Sequence, residues 1–363
     1  MAAVRSGDLA AAQRMLRRQP ELANARDARC FGATALNHAS AAGNRAMIDL
    51  LLDHGAGPDE ASDWWAGGFR PLDGADDETS EYLLSRGATL TVHAAARLGK
   101  LDELRRMLER EPALVLSRGG DGQLPLHFAR TPEVAAVLLG RGAPIDARDI
   151  DHASTAAQWA AVDRPHVTRF LVERGAQTDL FMAASIGDAG LIERLLDADP
   201  GGVQARITAE RFPAPGSQAL GIYHYTIGTG CTALHAAAAG GSAEAVRWLI
   251  ARDADPDATG GYDDGAPLHV AAWHDRTDAA AALLDGGADI DKRSGPLHRN
   301  TPLGWAIVGG SPGVAGLLVS RGAAVLDHMA GDADRGAAGE FRQFKRGQSI
   351  DAWARVKEIL ARR

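Results

Sequence analysis

One phrase is written into this chain again and again, and that repetition constrains the fold more than any other property. It reads "TALHAAAAGGSAEAVRWLIARDADPDA" at 232–258, "APLHVAAWHDRTDAAAALLDGGADID" at 266–291 and "QLPLHFARTPEVAAVLLGRGAPIDARD" at 123–149. Looser copies are "STAAQWAAVDRPHVTRFLVERGAQTD" at 154–179 and "NTPLGWAIVGGSPGVAGLLVSRGAAV" at 300–325. The glycine of the closing Arg-Gly-Ala or Gly-Gly-Ala, written His-Gly-Ala in the first case, falls at Gly55, Gly87, Gly142, Gly175, Gly287 and Gly322. Gly55 to Gly87 is 32 residues, Gly142 to Gly175 is 33 and Gly287 to Gly322 is 35. A fixed period in this range means stacked copies of one small unit, in which each copy buries its apolar face against the next.

Each unit reads as two short helices and a turn. The first helix is rich in Ala, which lets a neighbour approach closely; the second carries aliphatics at helical spacing, as in Val246, Leu249 and Ile250. The repeated Gly sits where a helix end requires a left-handed residue, and the Asp-rich stretch after it suits a turn or hairpin finger. A slower period overlies the first. Units at 6–27, 98–121 and 186–207 replace the Gly-Ala turn with a Pro-containing one, and their leading glycines, Gly7, Gly99 and Gly187, are 92 and 88 residues apart. Three modules related by duplication are the simplest reading.

The phrase resembles the ankyrin repeat, with its Thr-Pro-Leu-His-x-Ala opening and Leu-Leu-x-x-Gly-Ala close, over roughly residues 2–325. The resemblance, to multi-repeat proteins of bacterial type, implies an all-α solenoid of about ten repeats with β-hairpin fingers. The expected organisation is an array over 1–328 with inserted loops at 60–70 and 207–228, a linker over 329–348, and a helix over 349–363 that caps the last unit. Ser349 as N-cap and the stripe Ile350, Trp353, Val356, Ile359 and Leu360 carry that last expectation.

Composition narrows the function. Asp+Glu 47 against Lys+Arg 39 gives a net charge of -8, and no basic stripe forms, so a nucleic-acid partner is not expected. Cys30 and Cys231 are far apart and belong to no metal or disulfide spacing. No run approaches the length of a membrane span and no signal-like apolar segment opens the chain, so a cytoplasmic protein is expected. Phosphate-loop, dinucleotide, nucleophile-elbow and zinc-protease motifs are absent, and neither a cofactor nor a metal is expected.

His93, His127, His235 and His269 occupy the histidine of the repeat phrase, where the resemblance implies a structural bond to a neighbouring loop; Asn37, Gln158 and Gly304 stand in that slot elsewhere. Candidate binding residues lie where the ankyrin pattern faces its concave side or fingers: Trp273 and His274, Tyr262 and Asp263, His298, and Asp151 and His152. Asp146, Asp149 and Asp151 read as solvated finger acids, because the segment lacks the Gly and Glu of a calcium loop. The inserts add Trp64, Trp65 and Phe69, of which the two tryptophans cannot easily both point inward, and Tyr223, His224 and Tyr225. "GIYHYTIG" at 221–228 has the content of a strand or long hairpin projecting over the groove, with Pro213, Pro215, Gly216 and Ser217 marking the loop before it.

The leading function is recognition of a protein or peptide on the concave face and fingers, the acidic balance favouring a basic or mixed partner. The alternative is a cofactor-free small-molecule binder or enzyme, of lyase, isomerase or cyclase type, with its site beneath the 207–228 insert. Acid–base work there would fall to His152 with Asp151, to His274 with Asp263, or to His224.

Overall fold

The computed structural model describes residues 1–214, 220–343 and 349–362. Among the described residues, twenty short α-helices follow one another, most of them in pairs. They are α1 (Ala2–Ser6), α2 (Leu9–Arg18), α3 (Ala35–Ala41), α4 (Arg45–Asp53), α5 (Asp77–Ser85), α6 (Val92–Leu98), α7 (Leu101–Arg110), α8 (Pro132–Gly140), α9 (Ala156–Ala160) and α10 (Pro165–Glu173). The series continues with α11 (Leu180–Ile186), α12 (Ala189–Ala198), α13 (Ala233–Gly240), α14 (Ala243–Ile250), α15 (Pro267–Trp273), α16 (Thr277–Asp285), α17 (Pro302–Val308), α18 (Pro312–Ser320), α19 (Asp327–Ala337) and α20 (Ile350–Ala361). Strands β1 (Arg26–Asp27) and β2 (Ala33–Thr34) pair antiparallel, Arg26 opposite Thr34, as one finger; single bridges Arg148–Thr155, Arg206–Thr232 and Gly260–Gly265 mark others. Among the described residues, no helix is long and apolar enough to cross a membrane.

The chain forms two compact units, residues 1–156 and residues 157–213 with 220–363. In the second, first helices pack in one row, α11 on α13, α13 on α15, α15 on α17, and second helices in another, α12 on α14, α14 on α16, α16 on α18. The alanines explain the spacing. Ala233 and Ala236 to Ala239 of α13 are fully buried, and a methyl group on Gly240 would collide with the Ser185 carbonyl of α11. The first unit repeats the scheme, α1 on α3, α2 on α4 and α7 on α8.

The repeated glycines behave as their pattern requires: Gly55, Gly87, Gly142, Gly175, Gly287 and Gly322 all have φ between +85° and +97°. Two units of residues 1–156 are cut short. The phrase at 123–149 has no room for a first α-helix, because Thr131 already caps α8, and Pro125–Phe128 is a single 3-10 turn. Before α5, residues 71–75 form turns, and Leu72 and Ala75 supply the buried contacts of the missing helix.

Part of the expected linker is ordered instead. Asp327–Ala337 is helix α19, whose Met329, Ala333 and Gly336 are buried, with Trp353 of α20 lying against Gly336. The Trp353 indole also donates to the Val308 carbonyl at 3.1 Å. Residues 344–348 and Arg363 lie outside the described residues.

Candidate functional site

Three of the repeat histidines are fastened at both ring nitrogens. The Nδ1 atoms of His127, His235 and His269 accept from the backbone N–H groups of Leu124, Thr232 and Ala266 at 3.1–3.2 Å. Their Nε2 atoms meet the carbonyls of Ser154, Gly265 and Asn300 at 3.0–3.2 Å, and His93 Nε2 meets Ser117 at 3.0 Å. An Nδ1 that accepts fixes the neutral tautomer with the proton on Nε2. Burial agrees, pushing His235 and His269 down to about 4. These rings tie one unit to the next finger and are spent in doing so.

Where the histidine is missing, another group takes its place. Asn37 accepts from the Thr34 N–H at 2.8 Å and donates to the Phe69 carbonyl at 2.9 Å. Gln158 donates to Asp179 at 3.2 Å. At Gly304 the space of a side chain is filled by the Asn300 amide, whose Oδ1 accepts from the Thr301 N–H at 3.1 Å.

In the second unit, several predicted binding residues meet at the fingers before α15 and α17. Asp263, a left-handed residue, is buried and accepts from Ser294 Oγ at 2.8 Å, Leu297 N at 2.9 Å and His298 N at 3.0 Å. Burial alone would raise its carboxyl; these three donors overcome that and hold it below the usual range. Asp263 therefore clamps the 294–298 loop, and its three bonds are made there rather than to His274, the residue proposed as its acid–base partner. Tyr262 Oη lies 2.9 Å from His298 Nε2, and Trp305, Trp273 and His269 continue the row edge to face. Sequence reasoning passed over Trp305, although it follows the Gly304 slot by one residue. Tyr262 and Leu297 remain 66% and 70% exposed. His274 ends α15 and is half-buried.

The 207–228 insert is not a projecting strand. His224–Gly228 is one π-helical turn, and Tyr223 is fully buried against Phe181 and Phe212, its hydroxyl on Asp179. The buried acceptor draws the ring inward. His224 is buried too, its Nδ1 2.8 Å from Thr229 Oγ1, so of this trio only Tyr225, 60% exposed, meets solvent. Pro215, Gly216 and Ser217 lie outside the described residues. The Cys231 thiol is pushed up to about 12 by burial, which removes it as a nucleophile.

In the first unit, Trp64 packs edge-on against Phe31 at 4.2 Å, while its neighbour Trp65 is 57% exposed. Phe69 leans over Gly120. The finger acids are not solvated as expected. Asp149 and Asp151 are buried, Asp149 Oδ1 accepting from His152 N and Ser154 N at 3.0 Å each. His152 Nε2 sits 3.6 Å from Asp151 and 3.8 Å from Asp121, a residue the sequence reading did not single out. Burial first, then the neighbouring acids, raise Asp121 to about 6, against the opposing pull of His152.

Comparison with known proteins places the phrase. A family model described as ankyrin repeats (three copies) matches residues 180–294, and a single ankyrin repeat model matches residues 31–63. A rice protein, the probable E3 ubiquitin-protein ligase XBOS31 of Oryza sativa subsp. japonica, is 34% identical over 121 residues, 33% of this chain and 23% of its own length. The chain thus matches less than a quarter of that relative, and a plant relative lends the expected bacterial type no support. The crystal structure of the human ASB11 ankyrin repeat domain aligns over 65% of this chain and 99% of its own at 22% identity, with a TM-score of 0.36. With the phrase, the left-handed glycines and the bonded histidines already in place, the family matches identify residues 31–63 and 180–294 as ankyrin repeats.

Proposed function

We propose that the chain is a protein-recognition module, and that its second unit contacts the partner through Tyr262, Leu297 and His298. One observation carries this: two large side chains are held out to solvent on neighbouring segments, Tyr262 beside Asp263 and Leu297 on the 294–298 loop that the buried Asp263 carboxylate holds. Exposed aromatic and aliphatic anchors on a pre-ordered loop lose little entropy on binding. The 292–299 segment carries Lys292, Arg293 and Arg299 around Leu297, so its charge opposes that of the chain as a whole, while the exposed Asp264 stands near Tyr262. An acidic segment with an apolar side chain suits it, in place of the basic partner that net charge alone favours.

The finer architecture is part of the same reading: about ten repeats, with α20 closing the last. So is a cytoplasmic setting, for which the free Cys30 and Cys231 are the support. Selection from a random peptide library on the full chain tests the assignment. Binders should pair Asp or Glu with an aromatic or aliphatic residue, and should weaken at least tenfold with Tyr262→Ala or Leu297→Ser, and again in 0.5 M salt. Binders indifferent to both substitutions would place the contact surface elsewhere.

A further inference from the structure

We propose that Asp121, Asp151 and His152 hold a divalent transition-metal cation where three finger loops of the first unit meet. The loops are joined through backbone. Asp121 N donates to the Gly67 carbonyl at 3.2 Å, and the Asp121 carbonyl accepts from Ile150 N and Asp151 N at 3.0 and 3.1 Å. This brings two carboxylates and an imidazole to one point, with one donor atom of each within 4.8 Å of the others.

Two observations separate this cluster from an ordinary group of acids. Asp151 is only 5% exposed, and its Oδ1 is buried without a hydrogen-bond partner. A buried carboxylate oxygen left bare is costly. Second, among the described residues, His152 is the only basic side chain within ion-pair distance of Asp121 or Asp151. The comparable group Asp27, Cys30 and His38 differs on that point, since Arg5 and Arg29 stand 3.4 and 3.7 Å from Asp27 and already supply its positive charge.

The donor set selects the ion. Imidazole with carboxylate suits zinc or manganese, whereas calcium takes six to eight oxygens. Ligands about 2.0–2.1 Å from a tetrahedral zinc lie about 3.4 Å apart. The 3.6 and 3.8 Å separations need only a small closure to reach that. Trp64, whose indole N–H lies beside Asp121, would be steadied by the bound ion, and with it the loop that exposes Trp65.

The test is direct. The full chain, stripped with EDTA and dialysed at pH 7.5, is titrated with zinc chloride and separately with manganese chloride by calorimetry, and melted with and without each. Expected are one equivalent per chain of at least one of the two ions and a rise in Tm of about 5 °C at a hundredfold excess over Kd. Asp151→Asn and His152→Ala should each weaken binding at least tenfold while leaving the far-ultraviolet dichroism unchanged, and Cys30→Ser should leave binding intact. If the wild-type chain takes up neither ion, or if one equivalent still binds to the Asp151→Asn, His152→Ala double variant or is lost in Cys30→Ser, the assignment is wrong.

Discussion

The Tyr223 hydroxyl reaches both carboxylate oxygens of Asp179, at 3.2 and 3.1 Å, in a place closed to solvent. The same carboxylate caps α11 through Met182 N at 2.9 Å and receives Gln158 at 3.2 Å. The insert is thus fixed to the start of α11, in the helix pair that precedes it, by a buried acid, and burial raises that acid's pKa despite its donors. Tyr223→Phe should lower unfolding stability by about 1–3 kcal/mol in urea titrations.

Acid should loosen the histidine bonds. His235 and His269 stand at about 4 in the folded chain and at 6.5 when unfolded, so between those values the unfolded chain binds more protons. Their contribution is therefore complete above pH 6.5 and is lost as pH falls toward 4, by about 3 kcal/mol for each ring from a shift of this size. Urea midpoints measured across that interval should fall steeply in the wild-type chain. They should fall less in His269→Asn, whose amide copies Asn37 and does not titrate.

Two glycines of different duty should separate cleanly. Gly287 has φ +94° and nothing within 4 Å of a Cβ, so Gly287→Ala should cost only backbone strain, about 1 kcal/mol. Gly240 lies against the Ser185 carbonyl, and Gly240→Ala must push α13 off α11. Its loss should be two to three times larger by thermal melting, as overpacking requires.

At the far end, Trp353 is fully buried and Gly336 leaves room for its ring. Trp353→Ala should cost about 3–5 kcal/mol. Gly336→Ala should produce a milder loss together with a shift in tryptophan emission as the indole is displaced.

Much of this molecule was legible because the repeat speaks many times. The left-handed glycines, the paired helices and the bonded histidines each follow from a phrase whose copies confirm one another. What escaped arises from contacts between copies. Asp149 and Asp151 look solvated in a segment read alone; they are buried where their segment joins the 120–122 turn through the Asp121 carbonyl. Asp121 could have been found by register, since it precedes Asp151 by 30 residues and so holds a comparable finger position one unit earlier. Tyr223 misled differently. Aromatic and β-branched content reads as strand, but one buried acceptor at Asp179 decides where the ring goes.

The bond from the histidine slot persists where the letter changes: Asn37 still reaches Phe69, and Asn300 fills the gap at Gly304 from outside its own helix. An amide strap is indifferent to protons, whereas an imidazole strap is not. In a mildly acid medium, a protease should therefore find its first cuts in the fingers anchored by His235 and His269, while the Asn37 finger holds. The chain carries a built-in order of loosening, set by which repeats kept their imidazole.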